Sequence, residues 1–228
     1  MLEELADSGF VLCPSAVSEA ALVRLLDACA STPEADQSRH PSGATYGIRG
    51  LLWSSVGLRS ELDDCGVSAI ARSAIGRTAF PVDAIFFDKQ SDANWSVPGH
   101  QDRLMPVDAD SPVPKTIRRG IAYAEPSSQT LGTLVALRVH FDPVGSEGGA
   151  LEVVAGSHRL GVLPSEAIRE TPLGEYRPCP AARGDVLVLR PLLLHRSGRL
   201  VGTGHRRVLH VVYASEQPTD GPRWKGSG

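Results

Sequence analysis

The chain carries no excess of basic residues. Its 228 residues hold 23 Lys and Arg against 26 Asp and Glu, a formal net charge of −3. That balance argues against a nucleic-acid partner. There is no apolar run near the roughly 18 residues that would span a bilayer, so no membrane partner is expected. The opening residues Met1-Leu2-Glu3-Glu4-Leu5 are acidic and lack the basic start and apolar centre of a secretory signal. Cysteine is sparse. Cys13, Cys29, Cys65 and Cys179 are scattered, with no Cys-X-X-Cys pair. This spacing excludes a zinc ribbon or a disulfide frame and fits reduced thiols in a cytoplasmic protein. Internal repeats are absent, and so is the strand–helix alternation that a TIM barrel or Rossmann fold requires.

What is present is an ordinary globular composition, 42% hydrophobic, with 23 Gly and 17 Pro that favour many turns. The length suits a single domain with a substantial core. Residues 10–12 form a short apolar strand. Ser18 starts a helix to about Ala30, with Leu22, Leu25, Leu26 and Cys29 at helical spacing. A polar loop, 31–44, carries a solvated His40. A strand at 46–52 and short helices near 56–63 and 66–74 follow. Beyond residue 80 come strands at 80–89, 134–142, 150–154, 186–190 and 206–214, with a short helix at 164–170. The prolines at 106, 112, 114 and 126 predict an irregular segment over 103–130, of the length that often serves as a lid. Residues 218–228 read as a poorly ordered tail. Helices first and strands after suggest a mainly β (α+β) jelly roll, cupin-like, with helices packed outside. Residues 1–79 would be support, 80–214 the core and 215–228 the tail.

The tetrapeptide Gly99-His100-Gln101-Asp102 organises the functional reading. On a strand, His100 and Asp102 face the same way, roughly 7 Å apart. Two His and one carboxylate on one side, with open positions opposite, is the arrangement of non-haem Fe(II) oxygenases. The third ligand should be a later histidine. His140 shares a face with Arg138 and Asp142, which suggests a local hydrogen bond. His158 sits in a Gly-Ser-His turn, His205 in a Gly-rich hairpin, and His210 among Val and Leu as a packed side chain. His195 ends an apolar run and shares a face with Ser197, where a barrel mouth would place it.

Taken together, His-X-Asp, the stretch Gly-Gly-Ala-Leu-Glu-Val-Val-Ala-Gly-Ser-His at 148–158, Gly184-Asp185, Leu194-His195-Arg196-Ser197 and Arg206 resemble the phytanoyl-CoA dioxygenase family of Fe(II)/2-oxoglutarate-dependent oxygenases. The resemblance covers about 80–214 and includes the Gly9-Phe10-Val11 strand with its helix. It implies a double-stranded β-helix with Fe(II) on His100, Asp102 and His195, and 2-oxoglutarate and O₂ as cosubstrates. The cosubstrate's far carboxylate would lie on Arg206, with Ser197 adding a hydrogen bond. Strand alternation favours Arg206 over Arg207. Arg138 stands where relatives often carry Trp. If buried it needs an anion, which could be oxoglutarate, substrate or a structural carboxylate. Related halogenases replace the carboxylate with a small residue. Asp102 therefore implies hydroxylation or another oxidation of a small molecule, with selectivity in 31–44 and 103–130. The rival readings are a cupin-like metal enzyme that does not use oxoglutarate and a non-catalytic jelly-roll binding protein.

Overall fold

A computed structural model describes residues 1–33, 37–39, 45–170, 173–218 and 221–226. The N-terminal elements are α1 (Leu2–Asp7), β1 (Phe10–Cys13), α2 (Glu19–Ala30), β2 (Gln37–Arg39), β3 (Thr45–Arg49), α3 (Leu51–Ser54), α4 (Leu58–Asp64) and α5 (Val67–Ile75). Ser18 starts α2 as expected, its hydroxyl accepting from the Ala21 N–H at 3.3 Å. His40 and most of the 31–44 loop lie outside the described residues.

The remainder is β4 (Phe80–Gln90), β5 (Val97–His100), β6 (Met105–Pro106), β7 (Thr116–Arg118), β8 (Ile121–Ala124), α6 (Ser128–Thr133), β9 (Val135–His140), β10 (Leu151–Val153), α7 (Ser165–Glu170), β11 (Arg177–Cys179), β12 (Val186–Leu189), β13 (His195–Ser197) and β14 (His205–Ala214). One sheet runs β1-β12-β9-β14-β4-β3-β2 and a second runs β11-β10-β13-β5. Every described pairing in them is antiparallel. From β4 onward the chain passes back and forth between the two sheets, as a jelly roll requires.

The large sheet is covered on both faces, so β9 reads as a run of buried residues rather than an alternation. Its odd positions, Val135, Leu137 and Val139, pack with Leu22, Leu25, Leu58 and Leu62 of the outer helices. The facing side of the large sheet contributes Ala136, Leu187, Leu189 and Val212 to an interior shared with Leu151 and Val153 of the small sheet. Inward positions on β4, β9 and β14 that are not apolar line a cavity of about 650 Å³.

Two expectations need correction. Residues 103–130 are not irregular: β6, β8 and β7 form a third small sheet, and α6 follows. Met105, Val107, Ala122, Ala124 and Leu131 are buried in the jelly-roll interior. Pro106 is compatible because β6 is an edge strand of that sheet, where a missing N–H costs no ladder bond. The exposed part is the 108–120 arc, with Ile117 64% exposed. The tail is also anchored. Trp224 is fully buried, bridges to Val107, and donates its indole N–H to the Glu216 carbonyl at 2.9 Å. One large ring outweighs the polar composition around it.

Candidate metal centre

β5 and β13 are neighbours in the small sheet, and their register sets His100 directly opposite His195. The two imidazoles lie 4.2 Å apart, centroid to centroid. Each ring nitrogen Nδ1 sits against a backbone carbonyl, Pro98 O at 2.9 Å for His100 and Leu193 O at 2.8 Å for His195. Donation from Nδ1 leaves both Nε2 lone pairs aimed at one point, the form a metal needs. That point is shared with Asp102: Oδ1 is 3.6 Å from His100 Nε2, and Oδ2 is 3.6 Å from His195 Nε2. The separations are too long for hydrogen bonds. They match donors that each sit about 2.0–2.2 Å from a common ion. All three donor atoms fall within 4.8 Å of one another, so this group could hold a metal ion.

Asp102 lies just beyond the end of β5 rather than within it, its N–H bonded to Pro191 O at 2.8 Å. Gln101, between the two donors, points the other way and is buried. Its amide donates to Leu192 O at 2.7 Å and Gly161 O at 2.9 Å, and its carbonyl accepts from Leu163 N–H at 2.8 Å. The middle residue of His-X-Asp is thus a clamp that fixes the donors' backbone. Burial pushes His195 down to about 4, against the pull of Asp102, so its ring is neutral at physiological pH. Burial alone would raise Asp102, but His195, His100 and His210 outweigh it and hold the carboxylate well below its usual range.

Sequence reasoning treated His210 as packing. The structure places its Nε2 3.6 Å from Asp102 Oδ2, with Arg138 Nη1 3.3 Å from its Nδ1. Arg138 is buried on the inner face of β9, as its position among apolar neighbours implied, and its nearest carboxylate influence is Asp102. His158 hydrogen-bonds Ala6 O, His205 is exposed and pairs with Asp88, and His140 is buried away from the three donors.

At one end of the cavity stands a group of basic side chains. Arg206 donates from Nη2 to Ser197 Oγ at 3.0 Å and from Nη1 to the Gly149 carbonyl, while its Nε has no partner. Gly149 has φ +81°, and a Cβ there would collide with the Arg199 carbonyl, so glycine is required for this close approach. Lys89 was not singled out in the sequence. It faces Arg206 across the β4–β14 pairing, is 1% exposed, and donates to Ser197 Oγ at 2.8 Å and Gly198 O at 2.7 Å. Burial, then Arg206 and Arg138, push Lys89 down to about 6; burial pushes Arg206 down to about 9. Arg207 points outward and forms a paired fork with Asp142, at 2.9 and 2.7 Å.

Comparison with known proteins agrees with this geometry. The profile for phytanoyl-CoA dioxygenase (PhyH) matches residues 5–208. Curated protein sequences gave no match. Among solved structures, EvdMO1 is similar at 23% identity and TM-score 0.70 over 93% of this chain, although the chain spans only 48% of that one. AviO1 from Streptomyces viridochromogenes Tue57 is similar at 23% identity and TM-score 0.69, over 97% of this chain and 96% of the other. The epimerase SnoN, solved with Fe³⁺, alpha ketoglutarate and nogalamycin RO, is similar at 17% identity and TM-score 0.70, over 93% and 81%. These likenesses establish a shared double-stranded β-helix. With the family profile matched over nearly the whole chain, the protein belongs to the phytanoyl-CoA dioxygenase family of Fe(II)/2-oxoglutarate-dependent oxygenases.

Proposed function

We propose that His100, Asp102 and His195 hold Fe(II), that 2-oxoglutarate binds beside it on Arg206, Ser197 and Lys89, and that the enzyme oxidises a C–H bond of a small molecule by hydroxylation, releasing succinate and CO₂. The observation that carries this reading is the meeting of two unmet demands in one cavity. Three metal donors converge in one cavity with three buried basic groups, Lys89, Arg138 and Arg206, and among the described residues Asp102 is the carboxylate whose charge acts on them, through Arg138. Buried charge needs a partner. A dicarboxylate that chelates a metal at one end and pairs with a guanidinium at the other meets both demands.

Bound iron would supply the activation of O₂; the chain's own residues do the rest. Arg206 and Lys89 fix the far carboxylate of the cosubstrate, and Ser197, already accepting from both, sets their separation. His210 stands 3.6 Å from Asp102 on the large-sheet side, with Arg138 against its other ring nitrogen, so the large sheet backs the carboxylate with basic groups. Apolar wall residues Ile85, Phe87, Leu104 and Met105 exclude water from the reacting position. An intact Asp102 keeps the carboxylate that the halide-binding relatives give up, which favours hydroxylation.

A cupin-like enzyme without oxoglutarate, or a non-catalytic binder, would have no use for buried Arg206 and Lys89 beside the metal donors. A screen of small molecules for substrate-stimulated succinate formation, with Fe(II) and ascorbate, tests the proposal. Stimulation that vanishes in Arg206→Ala at low oxoglutarate supports it. Oxidation that proceeds without oxoglutarate overturns it.

A further inference from the structure

The opposite end of the same cavity holds a second polar group that the metal and the cosubstrate leave unused. Asp83 stands on the same inward face of β4 as Lys89, six residues away, or roughly 20 Å along the strand. It is 4% exposed and lines the cavity, yet its Oδ1 has no hydrogen-bond partner. Tyr123, on β8, is 3% exposed, and its hydroxyl is approached by Arg49 but makes no close hydrogen bond among the described residues. Arg49, from the end of β3, lines the same end. Each group acts on the others: Arg49 lowers both Asp83 and Tyr123 against the effect of burial, and Asp83 raises Tyr123. A buried polar atom left unsatisfied costs about 1–3 kcal/mol, so such atoms lining a cavity mark where a ligand's polar atoms belong.

The charges decide which ligand. Burial raises Asp83 to about 7 against the pull of Arg49, so near neutral pH its carboxyl can both accept and donate a hydrogen bond. A cationic ligand would gain from Asp83 but face Arg49 and the nearby Arg118. An anionic ligand would face Asp83 and, beyond it, Asp102, whose charge reaches Asp83. A hydroxyl avoids both penalties, because it can donate to the carboxylate and accept from the phenol or the guanidinium. The apolar side chains Ile85, Met105 and Val212 line the wall between this end and the iron position.

Resting on the oxygenase reading above, we infer that Asp83 and Tyr123 form a substrate-anchoring site that takes a neutral, polyhydroxylated ring and holds its apolar face toward the metal. Asp83 and Tyr123 are specificity-determining residues in this account. They do not touch the reacting atoms.

The test uses the Fe(II)-loaded protein with 2-oxoglutarate under argon. Binding is read by saturation-transfer NMR with methyl α-D-glucopyranoside, methyl α-D-mannopyranoside and myo-inositol, set against glucosamine and glucuronate. The glycoside and cyclitol arms separate the two sources of a polyhydroxylated ring. The account expects at least one neutral polyol to bind more tightly than the charged pair. Asp83→Asn should weaken it at least tenfold and Tyr123→Phe severalfold, while both variants still form the Fe(II)–oxoglutarate complex, seen by its visible charge-transfer absorption. That complex also shows that each variant is folded. Tighter binding of glucosamine would make Asp83 a cation site, and tighter binding of glucuronate would make Arg49 an anion site; either overturns the inference. If the complex forms and no polyol binds, or if binding is unchanged in Asp83→Asn, the inference fails and the oxygenase reading stands. If the complex itself does not form, the failure lies in that reading.

Discussion

The two ends of the cavity are built from the same strands and are opposite in character. At one end Lys89 and Arg206, paired across β4 and β14, crowd basic groups around a single serine hydroxyl. At the other end Asp83, Arg49 and Tyr123 mix acidic, basic and phenolic groups, and Asp83 keeps a buried oxygen without a hydrogen-bond partner among the described residues. Between them the small sheet delivers His100, Asp102 and His195. The difference teaches that one barrel interior can gather basic groups at one end and mixed hydrogen-bonding groups at the other, as the proposed cosubstrate and substrate sites require. The first end is costly without an anion and the second without hydrogen-bond partners, so the two costs differ in kind. Ligands should therefore affect the two ends unequally.

The largest effect should come from the centre that both ends share. His100→Ala, Asp102→Ala and His195→Ala should each lose Fe(II) binding and turnover while the jelly roll still folds, because three donors leave no redundancy. Metal content after desalting measures this, and full occupancy in any one variant would remove that residue from the set.

At the basic end, Arg206→Ala should raise the oxoglutarate requirement more than tenfold, since breaking a buried charge-assisted pair costs on the order of 2–5 kcal/mol. Lys89→Met sharpens the comparison. Lys89 is mostly an uncharged amine in the unliganded protein near neutral pH, so its removal should leave the melting temperature little changed there but weaken binding of oxoglutarate, whose carboxylate would favour the ammonium. A Lys89→Met protein that melts lower and binds oxoglutarate normally would make the lysine structural.

A smaller effect is expected in the segment above the cavity. Amide exchange should slow on adding oxoglutarate and substrate within 108–120, where Ile117 and Arg118 are exposed, and should already be slow at 105–107 and 121–124, which are buried and paired. Uniformly slow exchange across 108–120 in the free protein would leave no moving lid.

The smallest belongs to Arg207. Its pairing with Asp142 is partly exposed, so Arg207→Ala should cost about 1 kcal/mol of stability or less and leave the oxoglutarate requirement unchanged. Burial opposes the lowering of Asp142, but Arg207 wins, so the folded carboxyl titrates below its unfolded value. The pairing therefore stabilises above the usual carboxylate range, and the contribution is lost as pH falls through the folded value. The stability gap between wild type and Arg207→Ala should close in acid. A gap that persists there would mean that Arg207 acts through packing.

The sequence carried the metal donors because their chemistry is local: His100 and Asp102 announce each other, and His195 and Ser197 sit at a strand start where alternation sets both on one face. Arg206 was separable from Arg207 by the same alternation. The strands from 80 to 214 were also readable, with boundaries displaced by a residue or two. Lys89 and Asp83 were not, because a single charge inside Phe-Pro-Val-Asp-Ala-Ile-Phe-Phe-Asp-Lys looks like a solvent-facing position until the partner strand is known. His210 failed for the converse reason: among Val and Leu it reads as packing, and only the β9–β14 register brings it to Arg138. The prolines of 103–130 concealed an edge strand, and one tryptophan anchored a tail whose composition predicts disorder.

The central claim is that metal donors and buried basic groups serve one bound pair, Fe(II) and 2-oxoglutarate. An anaerobic titration of the metal-free protein measures it directly. The account predicts one Fe(II) per chain and a visible charge-transfer band that needs both iron and oxoglutarate. The band should be absent in His195→Ala, shifted to higher oxoglutarate in Arg206→Ala and unchanged in Arg207→Ala. Iron bound at His100, Asp102 and His195 with no band at any oxoglutarate concentration would contradict it.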